Sequence, residues 1–167
     1  MLDDTIALRA ATAADRPLLA RIYASTREDE LARAPWSAEQ KQHFLSMQFE
    51  AQDQHYRAHY ANPEFLLILE RDVPVGRLYL CRGARDVRVM DLALLPPFRS
   101  LGIGGAILAR LRREAGARRQ SLSIHVEKEN RARALYARHG FVEVEDRGVY
   151  LLLHCPAPRG TDEHAPH

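Results

Sequence analysis

Hydrophobic and polar positions repeat with different periods along the chain, and each period predicts a type of secondary structure. Alternation in "TIALRAAT" predicts a first strand. The capping signature Thr12-Ala-Ala-Asp15 then predicts a helix that carries Leu18, Leu19 and Ile22 on its apolar face. The chain is therefore expected to open with a strand followed by a helix.

A second capping box, Ser37-Ala-Glu-Gln40, follows the polar stretch "STREDELARAP". It predicts a long amphipathic helix from about Ser37 to about His59. Apolar or aromatic positions recur there every three or four residues, which predicts one inward face. That face consists of Phe44, Met47, Ala51, His55 and Ala58.

The middle and end of the chain are rich in strands. "NPEFLLILERDVPVGRLYLCRG" predicts two strands around a turn at Asp72–Pro74, and "DVRVMDLALLP" predicts a third, so these three form an antiparallel meander. A helix is expected from Gly102 to about Ala115, followed by a strand at "SLSIHVE". A further helix, Asn130–Arg138, ends at Gly140, and "FVEVE" and "VYLLLHC" form a last pair of strands around Gly148.

The order β-α-α-β-β-β-α-β-α-β-β predicts an α/β (α+β) fold. We expect a mixed, mostly antiparallel central sheet of about seven strands, with about four helices on its two faces. The length of 167 residues suits one domain, assigned to residues 1–155. The polar, proline-rich residues 156–167 are expected to form a disordered tail.

Charge, hydrophobic runs and cysteine spacing each argue against a class of protein or site. Lys and Arg number 24 against 22 Asp and Glu, so the net charge of +2 argues against a dedicated nucleic-acid binder. No leader sequence or spanning apolar run is visible, which predicts a cytoplasmic protein without membrane contact. Cys81 and Cys155 lack metal-site or redox spacing and are expected to be free thiols.

The glycine-rich stretch "FRSLGIGGAIL", Phe98–Leu108, carries the clearest chemical signal. It lacks the Lys-Ser/Thr pair of a P-loop, and Ile107 stands where a dinucleotide-binding fingerprint needs its third glycine. It does fit the pattern R/Q-x-x-G-x-G/A through Arg99-Ser-Leu-Gly102-Ile-Gly104. A turn of this kind at a helix start is suited to binding an anionic group.

A second motif, Asn130-x-Ala132-x-x-Leu135-Tyr136 followed by Gly140-Phe141, lies downstream of a strand. Together the two motifs resemble the GNAT superfamily of acyl-CoA-dependent N-acyltransferases, over about residues 5–155. The resemblance implies a GNAT-like fold, with acetyl-CoA as co-substrate. The implied reaction is direct transfer of the acetyl group, in a ternary complex, to a primary amine of a small molecule or a protein. Ser100 departs from the family, which often has glycine there.

The resemblance also implies a cofactor site. Successive backbone N–H groups at the helix start, aided by the helix dipole, would hold the pyrophosphate of coenzyme A. Arg99, at the start of the turn, is counted among the cofactor-binding residues, and the N–H groups belong to Ser100, Leu101, Gly102, Ile103, Gly104 and Gly105. The preceding strand is expected to splay from its neighbour, so that the backbone of Leu92, Ala93 and Leu94 pairs with pantetheine. Asn130 would bond the pantetheine amides, cap the following helix, or do both.

Two residues are the catalytic candidates. Tyr136 matches the tyrosine that stands near the sulfur of coenzyme A in the family and protonates the leaving thiolate; the alternative is a core residue without a catalytic role. His125 lies where some members place a carboxylate base, and its imidazole suits proton transfer near neutral pH, although a structural role is also open. The other options for the base are a water chain, Asp91, Glu127 and Tyr79.

Acceptor and partners are less well defined. The resemblance assigns acceptor specificity to "STREDELARAPW", Gln48, Gln52, Tyr56 and the "EDRGVY" turn, without naming the amine. His55 and His59 share a helix face but lack a third ligand, so no metal is expected. A homodimer is left open. The alternative function is a catalytically weak acyl-CoA-binding sensor or interaction module.

Overall fold

The computed structural model describes residues 2–159, with side chains from residue 4 onward. Within this range the chain forms seven strands and six α-helices, besides two short 3-10 turns. The strands are β1 (Ile6–Ala10), β2 (Glu64–Glu70), β3 (Val73–Arg82), β4 (Asp86–Leu94), β5 (Ser121–Glu127), β6 (Val142–Arg147) and β7 (Tyr150–Cys155). The helices are α1 (Leu2–Thr5), α2 (Arg16–Thr26), α3 (Glu28–Ala32), α4 (Ala38–His59), α5 (Ile103–Ala117) and α6 (Arg133–Arg138).

All seven strands form one sheet, in the order β1-β2-β3-β4-β5-β7-β6. Every neighbouring pair is antiparallel except β4 and β5, which run parallel because α5 crosses between them. The predicted mixed, mostly antiparallel sheet is therefore confirmed, and so is the β2-β3-β4 meander. The one parallel junction lies near the middle of the sheet.

The sheet separates two hydrophobic clusters. One face packs against α5 and α6 through residues such as Ile107, Leu108 and Tyr136. The opposite face packs against α2 and α4 through residues such as Ile22 and Phe49. Helices on both faces were predicted from the element order, and the two clusters confirm them.

Capping explains where the long helix begins. The Ser37 hydroxyl accepts a hydrogen bond from the Gln40 N–H at 3.1 Å, and the Gln40 side-chain oxygen accepts one from the Ser37 N–H at 2.9 Å. Both donors would otherwise lack partners at the start of α4. The predicted range of this helix is confirmed at both ends.

The predicted inward face of α4 was wrong. Met47 on that face is 56% exposed, and Ala51, His55 and Ala58 are also exposed. Phe49 is buried instead, at 5% exposure, with the polar Gln52 lying partly buried on the same side. The helix packs partly on a buried polar group, described below, so hydrophobicity does not identify its inner face.

The four predicted helices are present as α2, α4, α5 and α6, and the described range adds α1 and α3, single-turn helices in segments not predicted to be helical. One smaller expectation needs correction. Helix α6 begins at Arg133 rather than Asn130, because residues 130–132 form a turn before it. Most of the expected disordered tail, residues 160–167, lies outside the described residues.

Candidate active site

The parallel pair β4–β5 opens part-way along its length. The two strands are in register from Asp86 and Ser121 as far as Val89 and Ile124. Beyond this point β4 continues to Leu94 bonded only to β3, and β5 continues to Glu127 bonded only to β7. The strands therefore leave a gap in the sheet, and the segment Leu92–Leu94 borders it.

A β-bulge at Met90 lies where the gap begins. Asp91 pairs with Tyr79 and Val89 pairs with Leu80, so Met90 is the extra residue. Its carbonyl oxygen accepts a hydrogen bond from the Tyr56 hydroxyl of α4 at 3.3 Å. Bulges redirect side chains and bend strands. This one lies at the point where β4 leaves β5.

The glycine turn lies at the far end of the gap. Gly102 immediately precedes α5 and has φ +89°, while Ser100 has φ +59°, a conformation that favours glycine. The first hydrogen bond of the helix joins the Ala106 N–H to the Gly102 carbonyl at 3.0 Å. Within residues 2–159, the N–H groups of residues 100–105 have no backbone acceptor. A row of free donors and the positive end of the helix dipole therefore coincide.

Packing gives two of these glycines a second role. A Cβ on Gly104 would lie 3.2 Å from Leu135 Cδ2, and one on Gly105 would lie 3.3 Å from His139 Nε2. Both neighbours belong to α6 or the residue that ends it. From the sequence alone, these glycines are expected only to allow close approach of a phosphate. The structure adds close packing of α6 on the start of α5.

Arg99 holds the turn in place through its side chain. Its Nε donates to the Leu94 carbonyl at 2.9 Å, and its Nη2 donates to the carbonyl of Ser25 in α2 at 3.2 Å. The guanidinium thus ties the end of β4 to α2. In this structure Arg99 is placed to position the turn, and its guanidinium is bonded to the protein itself.

Tyr136 lies in α6 and is almost fully buried, at 2% exposure. Its ring contacts that of Phe141 edge-on, with the centroids 5.7 Å apart. Burial raises the pKa of the Tyr136 hydroxyl, and the negative charge of Asp91 raises it further. Tyr136 packs on the α5–α6 side, whereas Asp91 bonds to groups on the other side. The charge of Asp91 thus acts on a residue that packs on the opposite face of the sheet.

His125 lies in β5 between two arginines. Its Nδ1 is 3.0 Å from Arg88 Nη1, and its Nε2 is 3.1 Å from Arg147 Nη1. Burial lowers the pKa of this imidazole, and the two positive charges lower it further. His125 is therefore held in its neutral form. The structure places Asp91 in electrostatic range of Tyr136, and places His125 in this arginine cluster.

Asn130 precedes α6 and is exposed. Its side-chain oxygen accepts a hydrogen bond from the Ala132 N–H at 2.8 Å, which stabilises the turn into the helix. Among the described residues its Nδ2 amide has no partner. The expected helix-cap role of Asn130 is wrong, because the N-cap of α6 is Ala132 and no described side chain caps that helix, but the Nδ2 donor is left for a ligand.

Sequence reasoning missed Arg77, which is only 1% exposed. Its Nε donates to Asp91 Oδ2 at 2.5 Å, and its Nη2 donates to the Gln52 side-chain oxygen of α4 at 2.8 Å. The guanidinium also lies over the rings of Tyr79 and Tyr23, 4.6 Å and 5.6 Å from their centroids. The available signal was that Arg77 and Asp91 each interrupt an apolar strand with opposite charges.

Neither a cluster of metal ligands nor a membrane-spanning helix is found among the described residues. No three His, Cys, Asp or Glu side chains there are placed to hold a metal ion. His55 and His59 stack on each other, with their ring centroids 4.2 Å apart. None of the described helices is both long and apolar enough to cross a membrane.

Comparison with known families connects this geometry to a group of enzymes. The model of the "Acetyltransferase (GNAT) domain" family matches residues 61–143. That range runs from the residues before β2 into β6, and includes the gap, the glycine turn and Tyr136. The chain belongs to the GNAT superfamily. The resemblance drawn from the two sequence motifs is thereby confirmed.

A relative of this GNAT protein is the [ribosomal protein bS18]-alanine N-acetyltransferase of Haemophilus influenzae. The two are 29% identical over 134 residues, which cover 78% of this chain and 85% of the relative. The crystal structure of PaiA N-acetyltransferase from Thermoplasma acidophilum with coenzyme A has a TM-score of 0.68 and 15% identity, covering 90% of this chain and 98% of that one. An acetyltransferase from Thermus thermophilus also reaches 0.68, with 22% identity and 93% and 99% coverage.

Proposed function

We propose that this GNAT acetyltransferase transfers the acetyl group of acetyl-CoA to a primary amine, with residues 1–155 as one catalytic domain. The observation that carries the proposal is the gap between β4 and β5. It begins after Val89 and Ile124 and leads along β4 towards the free N–H groups at the start of α5. Solved structures of similar fold contain coenzyme A or acetyl-CoA.

The cofactor is proposed to lie along this gap. The backbone of Leu92–Leu94 lacks a strand partner on the β5 side and would pair with the pantetheine arm as an added strand does. The N–H groups of residues 100–105 would bind the pyrophosphate, because they lack backbone acceptors and the helix dipole favours an anion. Asn130 would donate its Nδ2 amide to pantetheine. Arg99 would hold the turn without touching the phosphates.

The proposed reaction uses these positions. The neutral amine attacks the thioester carbonyl, so a C–N bond forms while the C–S bond breaks. The leaving thiolate takes the hydroxyl proton of Tyr136, which its raised pKa keeps in place at neutral pH. The extra proton on the amine passes through a chain of water molecules to solvent, because both ring nitrogens of His125 face arginine donors, and solvent reprotonates Tyr136. The products are the N-acetyl amine and coenzyme A as its free thiol.

The relative from Haemophilus influenzae helps to choose acceptors to test. Its name specifies an alanine of ribosomal protein bS18. An alanine within a protein carries a primary amine only when it is the first residue. A peptide that begins with alanine therefore belongs in the acceptor panel beside small primary amines.

The function is tested by incubating the protein with acetyl-CoA and this panel while free thiol is measured. The expected result is thiol release with at least one amine, well above hydrolysis without amine. The acceptor should gain one acetyl group by mass spectrometry for each thiol released. Binding of acetyl-CoA with no amine-dependent release would instead support the sensor or interaction module.

A further inference from the structure

Three basic side chains meet at the β5 border of the gap. Arg88 of β4 and Arg147 of β6 both contact His125, which follows the end of the β4–β5 pairing at Ile124. Ile124 and Val126 pack on the α5–α6 side. Because neighbouring residues of a strand point to opposite faces, the His125 side chain lies on the α2–α4 side of the sheet. We call Arg88, His125 and Arg147 the basic cluster.

The hydrogen-bonding groups of the basic cluster cannot all be satisfied within it. Arg88 Nη1 lies 3.0 Å from His125 Nδ1, and Arg147 Nη1 lies 3.1 Å from His125 Nε2. A neutral imidazole has one N–H donor and one nitrogen acceptor. In either tautomer, one ring N–H therefore faces a guanidinium N–H, and protonation of the ring would add a second such contact. An acceptor for these donors has to come from outside the cluster.

The basic cluster also contains a guanidinium without a direct counter-ion. Arg147 Nη2 donates to Glu145 at 2.9 Å, but among the described residues no carboxylate forms an ion pair with Arg88. Arg88 Nε donates instead to the Ser123 hydroxyl at 2.7 Å, and that hydroxyl donates to Asp86 at 2.5 Å. Ser123 is 4% exposed, so this contact orients Arg88 from the interior of the sheet.

Ligands from solvent can reach the basic cluster. The Arg147 side chain is 49% exposed, and His125 and Arg88 are partly buried. Donors in excess, positive charge and access to solvent are together the properties of a site for an anion. A carboxylate suits it well, because its two oxygens accept charge-assisted hydrogen bonds and match the planar guanidinium group.

We propose that the basic cluster binds a carboxylate of the acceptor, so that the protein selects amines that also carry a carboxylate. The inference rests on the proposed function. One carboxylate oxygen accepts hydrogen bonds from the imidazole N–H and the guanidinium N–H that otherwise face each other. Arg88, His125 and Arg147 thus determine specificity, whereas Tyr136 acts as the acid.

The test compares acceptors that differ only in this group. Aminoalkanoic acids of increasing length are paired with their carboxamides, and alanine-led peptides with Glu at the second position are paired with the same peptides carrying Gln. A charge-assisted hydrogen bond predicts that kcat/KM for the best carboxylate acceptor exceeds that for its amide by about 10- to 100-fold. Equal kcat/KM within every pair would overturn the inference.

The variant Arg147→Gln separates binding of the carboxylate from a structural effect. It should lower kcat/KM for the carboxylate acceptor by about tenfold or more, and change kcat/KM for the amide less than about twofold. Equal losses for both acceptors, or an unchanged preference, would contradict the proposal. Arg9→Gln is the matched control, because Arg9 is also an exposed strand arginine paired with one carboxylate, but lies in β1 at the opposite edge of the sheet. It should change neither value.

Propionate distinguishes a carboxylate on the acceptor from a free anion, because it has a carboxylate and no amine. It should compete with the carboxylate acceptor and leave acetylation of the amide unchanged. Stimulation of amide acetylation by propionate would show that the basic cluster takes a free anion, and would overturn selection of the acceptor.

Nitrogen-15 NMR of the His125 ring tests the site without turnover. In protein saturated with coenzyme A, the carboxylate acceptor should shift these signals, which are assigned by their loss in His125→Gln, and the amide should not. If the wild type acetylates no amine, the proposed function fails, and the shift still decides whether the basic cluster binds a carboxylate. If the wild type is active and both acceptors leave the signals unchanged, the basic cluster does not bind the acceptor.

Discussion

At the scale of single residues, Asp91 and Tyr136 link the two faces of the sheet electrostatically. Asp91 belongs to the network around Arg77 on the α4 side, yet its charge adds to burial in raising the pKa of Tyr136 on the α6 side. The proposed site therefore draws on side chains from both faces of the sheet.

The variant Tyr136→Phe tests whether Tyr136 is the general acid that protonates the leaving thiolate. We expect kcat to fall by about 100-fold, since general acid catalysis contributes factors of this size, while KM for acetyl-CoA changes less than about twofold. Because the pKa of Tyr136 is raised above its ordinary value, its hydroxyl stays protonated across the neutral range. The wild-type pH–rate profile should thus show no loss of activity from this group below about pH 10. An unaltered kcat in Tyr136→Phe would exclude the role.

His125 gives a prediction about stability and pH. Its folded-state pKa is lowered, so below the ordinary value of about 6.5 the unfolded chain takes up a proton that the folded protein excludes. This group therefore makes the protein less stable as pH falls, and makes no difference well above neutrality. His125→Gln should lose less stability than wild type between about pH 7.5 and pH 5.5 in urea unfolding. The pKa of His139 is also lowered, so the variant still loses some stability as the pH falls. Equal losses of stability in wild type and His125→Gln would contradict the lowered pKa of His125.

At the scale of elements, the course of β4 is set by its close approach to β3. A Cβ on Gly76 would lie 2.3 Å from the Ala93 carbonyl oxygen and 2.8 Å from Leu94 Cδ2. Any side chain at this position must therefore displace the part of β4 that borders the gap. The glycine of β3 thus fixes the backbone proposed to bind pantetheine.

Gly76→Ala is expected to lower the free energy of unfolding by about 2 kcal/mol, in the range found for overpacked cores. It should also weaken acetyl-CoA binding measured by calorimetry. Gly148→Ala in the β6–β7 turn is the control, because its added Cβ meets nothing within 4 Å and only its φ of +86° opposes the change. That variant should lose about 1 kcal/mol and keep its acetyl-CoA affinity. Similar affinities for the two variants would show that β4 does not determine binding.

The sequence predicted where helices and strands lie better than it predicted which face of α4 is buried. Ser37 and Gln40 form a local capping box, so the start of α4 was readable from adjacent residues. The inner face of α4 was not readable, because Gln52 turns inward to meet Arg77, which is 25 positions away in the chain. Hydrophobic periodicity cannot identify a face that is buried against a charge.

At the scale of the whole molecule, local motifs identified the family, but the site depends on long-range geometry. The glycine turn and the Asn130–Tyr136 motif were sufficient for the GNAT assignment, which the family match confirms. The pairing of Asp91 with Arg77, and the placement of His125 between Arg88 and Arg147, depend on strand register. Register is set by the sheet as a whole and by the bulge at Met90.

Acetyl-CoA binding in the gap between β4 and β5 is the feature on which the proposed activity depends. Amide hydrogen exchange with and without saturating acetyl-CoA tests it directly, because a ligand that bonds to backbone N–H groups slows their exchange. We expect slower exchange in Leu92–Leu94 and in residues 100–105, and unchanged exchange in the edge strand β6. Unchanged exchange in the first two segments, with acetyl-CoA demonstrably bound, would contradict the proposed site.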